Sequence, residues 1–218
     1  MTSEGFIRWS WITAHLGDIG SRTVEHLELT FIAVGLGFVL SLALSIVAIR
    51  LRRTYTPITW FAGVLYTIPS IALFAFFVPI TGLTKTTAEI GLVSYTLLIL
   101  IRNIVAGIDG VPAPVREAAT AMGYKRWRMF ATVELPLALP LIVAGLRIAT
   151  VTTVGLVTIT ALIGQGGYGA FINDGLQRFF NTPLFVGAIL SVALAVALDL
   201  SLVGLERALT PWTRRRSR

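Results

Sequence analysis

The chain has 218 residues, 55% of them hydrophobic and 13% charged, with a mean hydropathy of +0.80. Water-soluble domains carry about a quarter charged residues, so a polar surface on every side is excluded and an all-α membrane bundle is expected. There is no cysteine, which removes disulfides, thiolate chemistry and cysteine metal sites.

The first 26 residues lack a continuous apolar core of the kind a cleavable signal peptide has, and Trp9, Trp11 and Ile12 read as an interfacial anchor. A membrane crossing needs roughly 20 mostly apolar residues. Five stretches qualify: 27–49, 58–80, 88–108, 135–163 and 184–205. Pro69 inside the second predicts a kink, because proline lacks the N–H and clashes one turn back. The fourth is long for one crossing, which predicts tilt or a bend near Pro140.

Basic residues near span ends set orientation. Arg50, Arg52 and Arg53 follow the first stretch. Arg102, Arg116, Lys125, Arg126 and Arg128 lie near the connection between the third and fourth, and Arg207, Arg214, Arg215, Arg216 and Arg218 lie in the tail. These thirteen of the 18 Lys and Arg predict a cytoplasmic C-terminus and an outer N-terminus, which requires an odd number of spans. They form short juxtamembrane clusters, so the net charge of +7 points to anionic lipid and not to nucleic acid.

The connection from Pro112 to Pro136 predicts two short helices. Pro112 and Pro114 suit a helix start, and Val115, Ala118, Ala119 and Met122 recur at helical spacing. Gly123 suits a left-handed cap, and a second helix is expected over 124–133. Such a hairpin can insert into a partner's groove or lie on lipid headgroups, and periodicity alone leaves both open.

Glu117, Ala118, Ala119, then Gly123, Val133, Leu135 and Pro136 resemble the EAA signature of bacterial ABC-importer permeases, the one departure being Val133 where isoleucine is usual. The stretches Thr67 to Ser70, Leu135 to Pro140, Ile163 to Gly169 and Asp199 to Pro211 are similar to the osmoprotectant subfamily, which serves glycine betaine, carnitine, choline and proline betaine. The resemblance implies a MetI-like permease fold in the plasma membrane, in which the hairpin couples to cytoplasmic ATPase subunits. It further implies a second permease, identical or homologous, and an external substrate-binding protein. Glu117 would then face the ATPase or cap the hairpin. No phosphate-binding G-x-x-x-x-G-K-[ST] loop is present, so ATP hydrolysis is assigned to another polypeptide. No binding domain is expected after the fifth span.

Three other groups stand out. Gly164, Gly166, Gly167 and Gly169 read as an outer gate, as a docking surface for the binding protein, or as an ordinary flexible loop. Arg147 and Asp199 are the ionisable residues deepest within spans. They read as an intramembrane ion pair, a substrate contact, or snorkelling side chains. His15 and His26 lie eleven residues apart without ligand-spaced neighbours, so no metal and no cofactor is expected. The rival readings are a permease for an amino acid or sulfonate and, in another class, an ion-coupled transporter or membrane scaffold.

Overall fold

The computed structural model describes residues 6–212, and all regular structure among them is helical. The basic tail residues Arg214, Arg215, Arg216 and Arg218 lie outside the described residues. In chain order the helices are α1 (Trp9–Ala14), α2 (Leu16–Arg50), α3 (Tyr55–Thr67), α4 (Ser70–Thr81) and α5 (Lys85–Asp109). Then follow α6 (Ala113–Ala121), α7 (Arg126–Met129), α8 (Leu135–Ile159), α9 (Gly169–Arg178) and α10 (Asn181–Leu209). Three are long and apolar enough to cross a membrane unaided: α2, α5 and α10. The fourth such helix is longer. It joins α7 to α8 through a π turn (Phe130–Glu134) and ends in a 3₁₀ turn (Thr160–Ile163), covering 38 residues without a break.

The second predicted span differs from the expectation. It is not one kinked helix but two, α3 and α4, meeting at 95°. Proline disfavours the α region in the residue before it, and Ile68 is extended (φ −66°, ψ 128°). Pro69 is itself extended (ψ 133°), so two successive residues leave the helix and the chain turns a corner. The Tyr95 hydroxyl of α5 donates to the Ile68 carbonyl and so satisfies an acceptor freed by the break. Counting the bent pair as one crossing gives five.

Helix α8 runs through Pro140 without a break. A backbone irregularity lies one turn earlier. Pro136 and Pro140 withhold two N–H donors from the first turns of α8, and the backbone widens into the π turn directly before Pro136.

Helices α2 and α5 lie side by side and parallel. Lys85 pairs with Glu28 at 2.6 Å at one end, and Arg52 makes two bonds to Asp109, of 2.7 and 2.5 Å, at the other. The 25 residues of α5 rise about 36 Å between these pairs, slightly more than the roughly 30 Å of a hydrocarbon core. The order of charges matters more than the strength of each exposed pair. An antiparallel arrangement would set Glu28 against Asp109 and Arg52 against Lys85, which are like charges.

Close approach of the helices depends on missing side chains. A Cβ on Gly37 would stand 1.9 Å from Thr96 Oγ1, and one on Gly91 would stand 2.4 Å from the Phe74 ring. The core around these contacts is apolar: Leu29, Ala33, Phe74, Ala88, Leu92 and Val157 form one buried cluster. By contrast Ile189, Val192, Val196 and Leu200 of α10 are exposed along one face. Such a face suits hydrocarbon, where exposed apolar surface carries no penalty.

Candidate functional site

The hairpin between α5 and α8 starts with Pro112 at the N-cap of α6 and ends the helix at Met122. Gly123 takes φ +77°, and the Tyr124 N–H returns to the Ala119 carbonyl at 3.1 Å, closing the helix end. The second arm departs from the expected separate helix. It is α7, and it passes through the π turn into α8, so the hairpin's far arm is the first turns of the long rod. Val133 lies in the π turn, with Leu135 and Pro136 at the start of α8, all half-buried.

Of the alanine pair, Ala119 packs inward while Ala118 and Glu117 face out. Val115 and Met122 are exposed, as is Trp127 at 71%. This is an unpartnered apolar surface at the tip of a charged loop. The loop is nonetheless anchored at its base. The Arg116 guanidinium donates to the Ile108 carbonyl at 2.5 Å and forms an ion pair with Glu134 at 2.8 Å. One side chain therefore ties α6 to the end of α5 and to the start of the rod. In the sequence Arg116 reads only as a topological charge and Glu134 carries no signal, because a pair 18 residues apart leaves no local signature. Arg128 lies over the Tyr124 ring at 4.6 Å, and Trp127 stacks on Phe130.

At the opposite end of the bundle lies the glycine-rich segment. Gly164 (φ +79°), Gly166 (φ +117°) and Gly167 (φ +48°) are left-handed, and Gly166, Gly167 and Gly169 are buried. The segment is closely packed. A Cβ on Gly169 would meet the Thr158 carbonyl at 2.0 Å, and one on Gly167 would meet His26 Cβ at 2.6 Å. The Gly166 N–H donates to Glu25 at 3.1 Å, and the Tyr168 hydroxyl bonds Thr23 at 2.8 Å. His26 is fully buried, with Nδ1 3.3 Å from the Tyr168 N–H and Nε2 3.1 Å from the Val154 carbonyl. His15 instead bonds the Trp11 carbonyl locally and stacks on the Trp11 ring. The two histidines are not brought together.

Arg147 and Asp199 are brought together. Nε reaches Oδ1 at 2.8 Å and Nη2 reaches Oδ2 at 3.0 Å, the planar fork geometry that arginine favours. Glu206 completes the group, 3.6 Å from Nη1. One cation thus faces two carboxylates, each side chain about 30% exposed.

The sequence pattern of the family described as "Binding-protein-dependent transport system inner membrane component" matches residues 33–211. The chain is 34% identical over 195 residues to the glycine betaine/carnitine/choline transport system permease protein OpuCB of Bacillus subtilis (strain 168), covering 89% of this chain and 90% of that one. It is 36% identical over 200 residues to the osmoprotectant import permease protein OsmW of Salmonella typhimurium, covering 89% and 93%. Among solved structures, a permease chain of the MetNI methionine ABC transporter in an inward-facing conformation aligns with a TM-score of 0.78. That match has 24% identity and covers 90% of this chain and 98% of the other. The fold, the extent of the match and the EAA hairpin agree: this chain belongs to the binding-protein-dependent inner membrane permeases of ABC importers.

Proposed function

We propose that this permease carries small osmoprotectants of the glycine betaine, carnitine and choline type into the cell. Its relatives, at 34% and 36% identity over nine-tenths of their length, are named for these solutes. The N-terminus is outside and the C-terminus cytoplasmic, on the strength of the basic clusters at Arg50 to Arg53 and Arg116 to Arg128. The α6–α7 hairpin then faces the cytoplasm.

The observation that carries the coupling role is the hairpin's construction. Its base is bound to α5 and to the rod by Arg116, while its tip exposes Val115, Met122 and Trp127. A rigid loop with an apolar tip and a basic flank suits a groove in a cytoplasmic ATPase subunit. Glu117, Ala118 and the turn at Gly123 form the part presented to that groove. Two permeases, identical or homologous, pair around the solute path, and an external binding protein delivers the solute. Arg147 and Asp199 serve as a structural ion pair within the bundle.

Uptake of labelled glycine betaine, carnitine and choline by cells under hyperosmotic conditions tests the solute class. Accumulation of at least one, lost on deletion of the permease, supports it. Accumulation of none, with a labelled amino acid or sulfonate taken up instead, overturns it.

A further inference from the structure

We propose that Thr23, Glu25 and His26 form a latch for the glycine-rich segment, and that the α7–α8 rod opens this latch during transport. The proposal rests on the hairpin being the ATPase contact, since that is where the rod begins.

The segment 164–168 belongs to no helix, and its backbone groups need partners. The Gly164 and Gln165 N–H groups close locally on the Ala161 and Thr160 carbonyls, and helix α2 supplies partners for the Gly166 and Tyr168 N–H groups. Glu25 accepts from the Gly166 N–H, and His26 Nδ1 accepts from the Tyr168 N–H. Thr23 holds the Tyr168 hydroxyl. A backbone N–H can only donate, so Nδ1 must be the unprotonated nitrogen. Nε2 then carries the hydrogen and donates to the Val154 carbonyl. The neutral imidazole is therefore shared between the segment and the rod, since Val154 belongs to α8.

This sharing makes the contact a latch. Each partner bonds the same ring from a different direction, and a hydrogen bond weakens steeply with misalignment. A displacement of the rod by about an ångström relative to α2 cannot preserve both bonds. Continuous helix from Arg126 to Ile163, about 57 Å long, links the hairpin to the segment, with the π turn near its base and Pro140 within it. There is also room at the far end. A side cavity of about 270 Å³ lies between α4 and the last turn of the rod, lined by Ile71, Phe74, Val78, Leu162 and Ile163.

The test uses the complete permease with the ATPase that co-purifies with it, in proteoliposomes. Because the chain has no cysteine of its own, a His26→Cys/Gly167→Cys pair can lock the segment to α2. The Cβ positions stand 2.6 Å apart before relaxation, and a disulfide needs about 3.8 Å. Oxidation is expected to abolish ATP-driven uptake, and reduction of the same sample to restore it. Equal uptake in both redox states overturns the proposal, because the segment then never parts from α2. A second measurement stands should the cysteine pair not assemble. His26→Leu removes both bonds and is expected to raise ATP hydrolysis in the absence of binding protein roughly 5- to 30-fold, the shift in closed-to-open ratio from losing two hydrogen bonds. His26→Asn keeps an acceptor near Nδ1 and His26→Gln a donor near Nε2, so each is expected to fall between wild type and His26→Leu. Unchanged basal hydrolysis in all three, at normal yields of assembled complex, overturns the latch. Uptake by the unaltered complex reads the importer assignment separately.

Discussion

Replacing Arg116 with methionine keeps most of the unbranched apolar stem and removes the guanidinium. The Ile108 carbonyl then loses its side-chain donor, keeping the Val111 N–H, and Glu134, with a side chain only 14% exposed, loses its cation. A hydrogen bond from a charged group contributes about 1.5–3 kcal/mol when buried. The ion pair adds less than 1 kcal/mol, because Arg116 is about a third exposed and screened by water. Together they hold the hairpin against the bundle by about 2–3 kcal/mol, so their loss changes the ratio of anchored to detached hairpin by roughly 30- to 150-fold. The tip surface of Val115, Met122 and Trp127 is untouched. Arg116→Met is therefore expected to retain its ATPase subunit in a pull-down while losing most of the solute moved per ATP hydrolysed. Arg116→Lys should recover part of the coupling, since a single ammonium cannot serve both acceptors as the planar fork does. Unchanged solute-to-ATP stoichiometry in Arg116→Met would show that the anchor carries no force.

Gly123→Val places a β-branched residue at φ +77°, a backbone region that costs such residues about 1–3 kcal/mol, and is expected to abolish co-purification of the ATPase. Gly37→Leu must displace Thr96, whose hydroxyl stands 1.9 Å from the new Cβ. Overpacking of this kind costs about 1–3 kcal/mol or more, and is expected to lower the thermal midpoint of the detergent-solubilised chain. Tyr95→Phe removes the donor to the Ile68 carbonyl and is expected to cost about 1–2 kcal/mol, read as faster proteolysis at the α3–α4 corner. Arg147→Ala leaves Asp199 and Glu206 together without their cation and is expected to reduce assembled protein sharply. Asp199→Asn leaves Arg147 one carboxylate, and its loss should be milder.

The membrane class and the long helices were legible in the sequence because apolar run length is a one-dimensional quantity. The EAA hairpin was legible for a related reason: Pro112, the Ala118–Ala119 pair and Gly123 each impose local backbone rules. The corner at Pro69 was read only as a kink. Whether a proline bends or breaks a helix depends on the residue before it and on a tertiary partner, here Ile68 and the distant Tyr95 hydroxyl. The continuity of α7 with α8 was missed because Leu135-Pro136 reads as a boundary, whereas the π turn absorbs the proline within a running helix. The partners of the glycine segment, Thr23, Glu25 and His26, lie about 140 residues away. No periodicity reports such contacts, and His26 in isolation gave no sign of its two bonds.

We propose that ATP hydrolysis on a separate subunit drives solute through this chain by way of the α6–α7 hairpin. Proteoliposomes holding the permease, with internal ATP and external labelled glycine betaine plus binding protein, test it by including or omitting the ATPase subunit. Accumulation against a gradient with the ATPase and none without it is the predicted result. Accumulation of the same size when the ATPase is left out would show that the hairpin couples nothing.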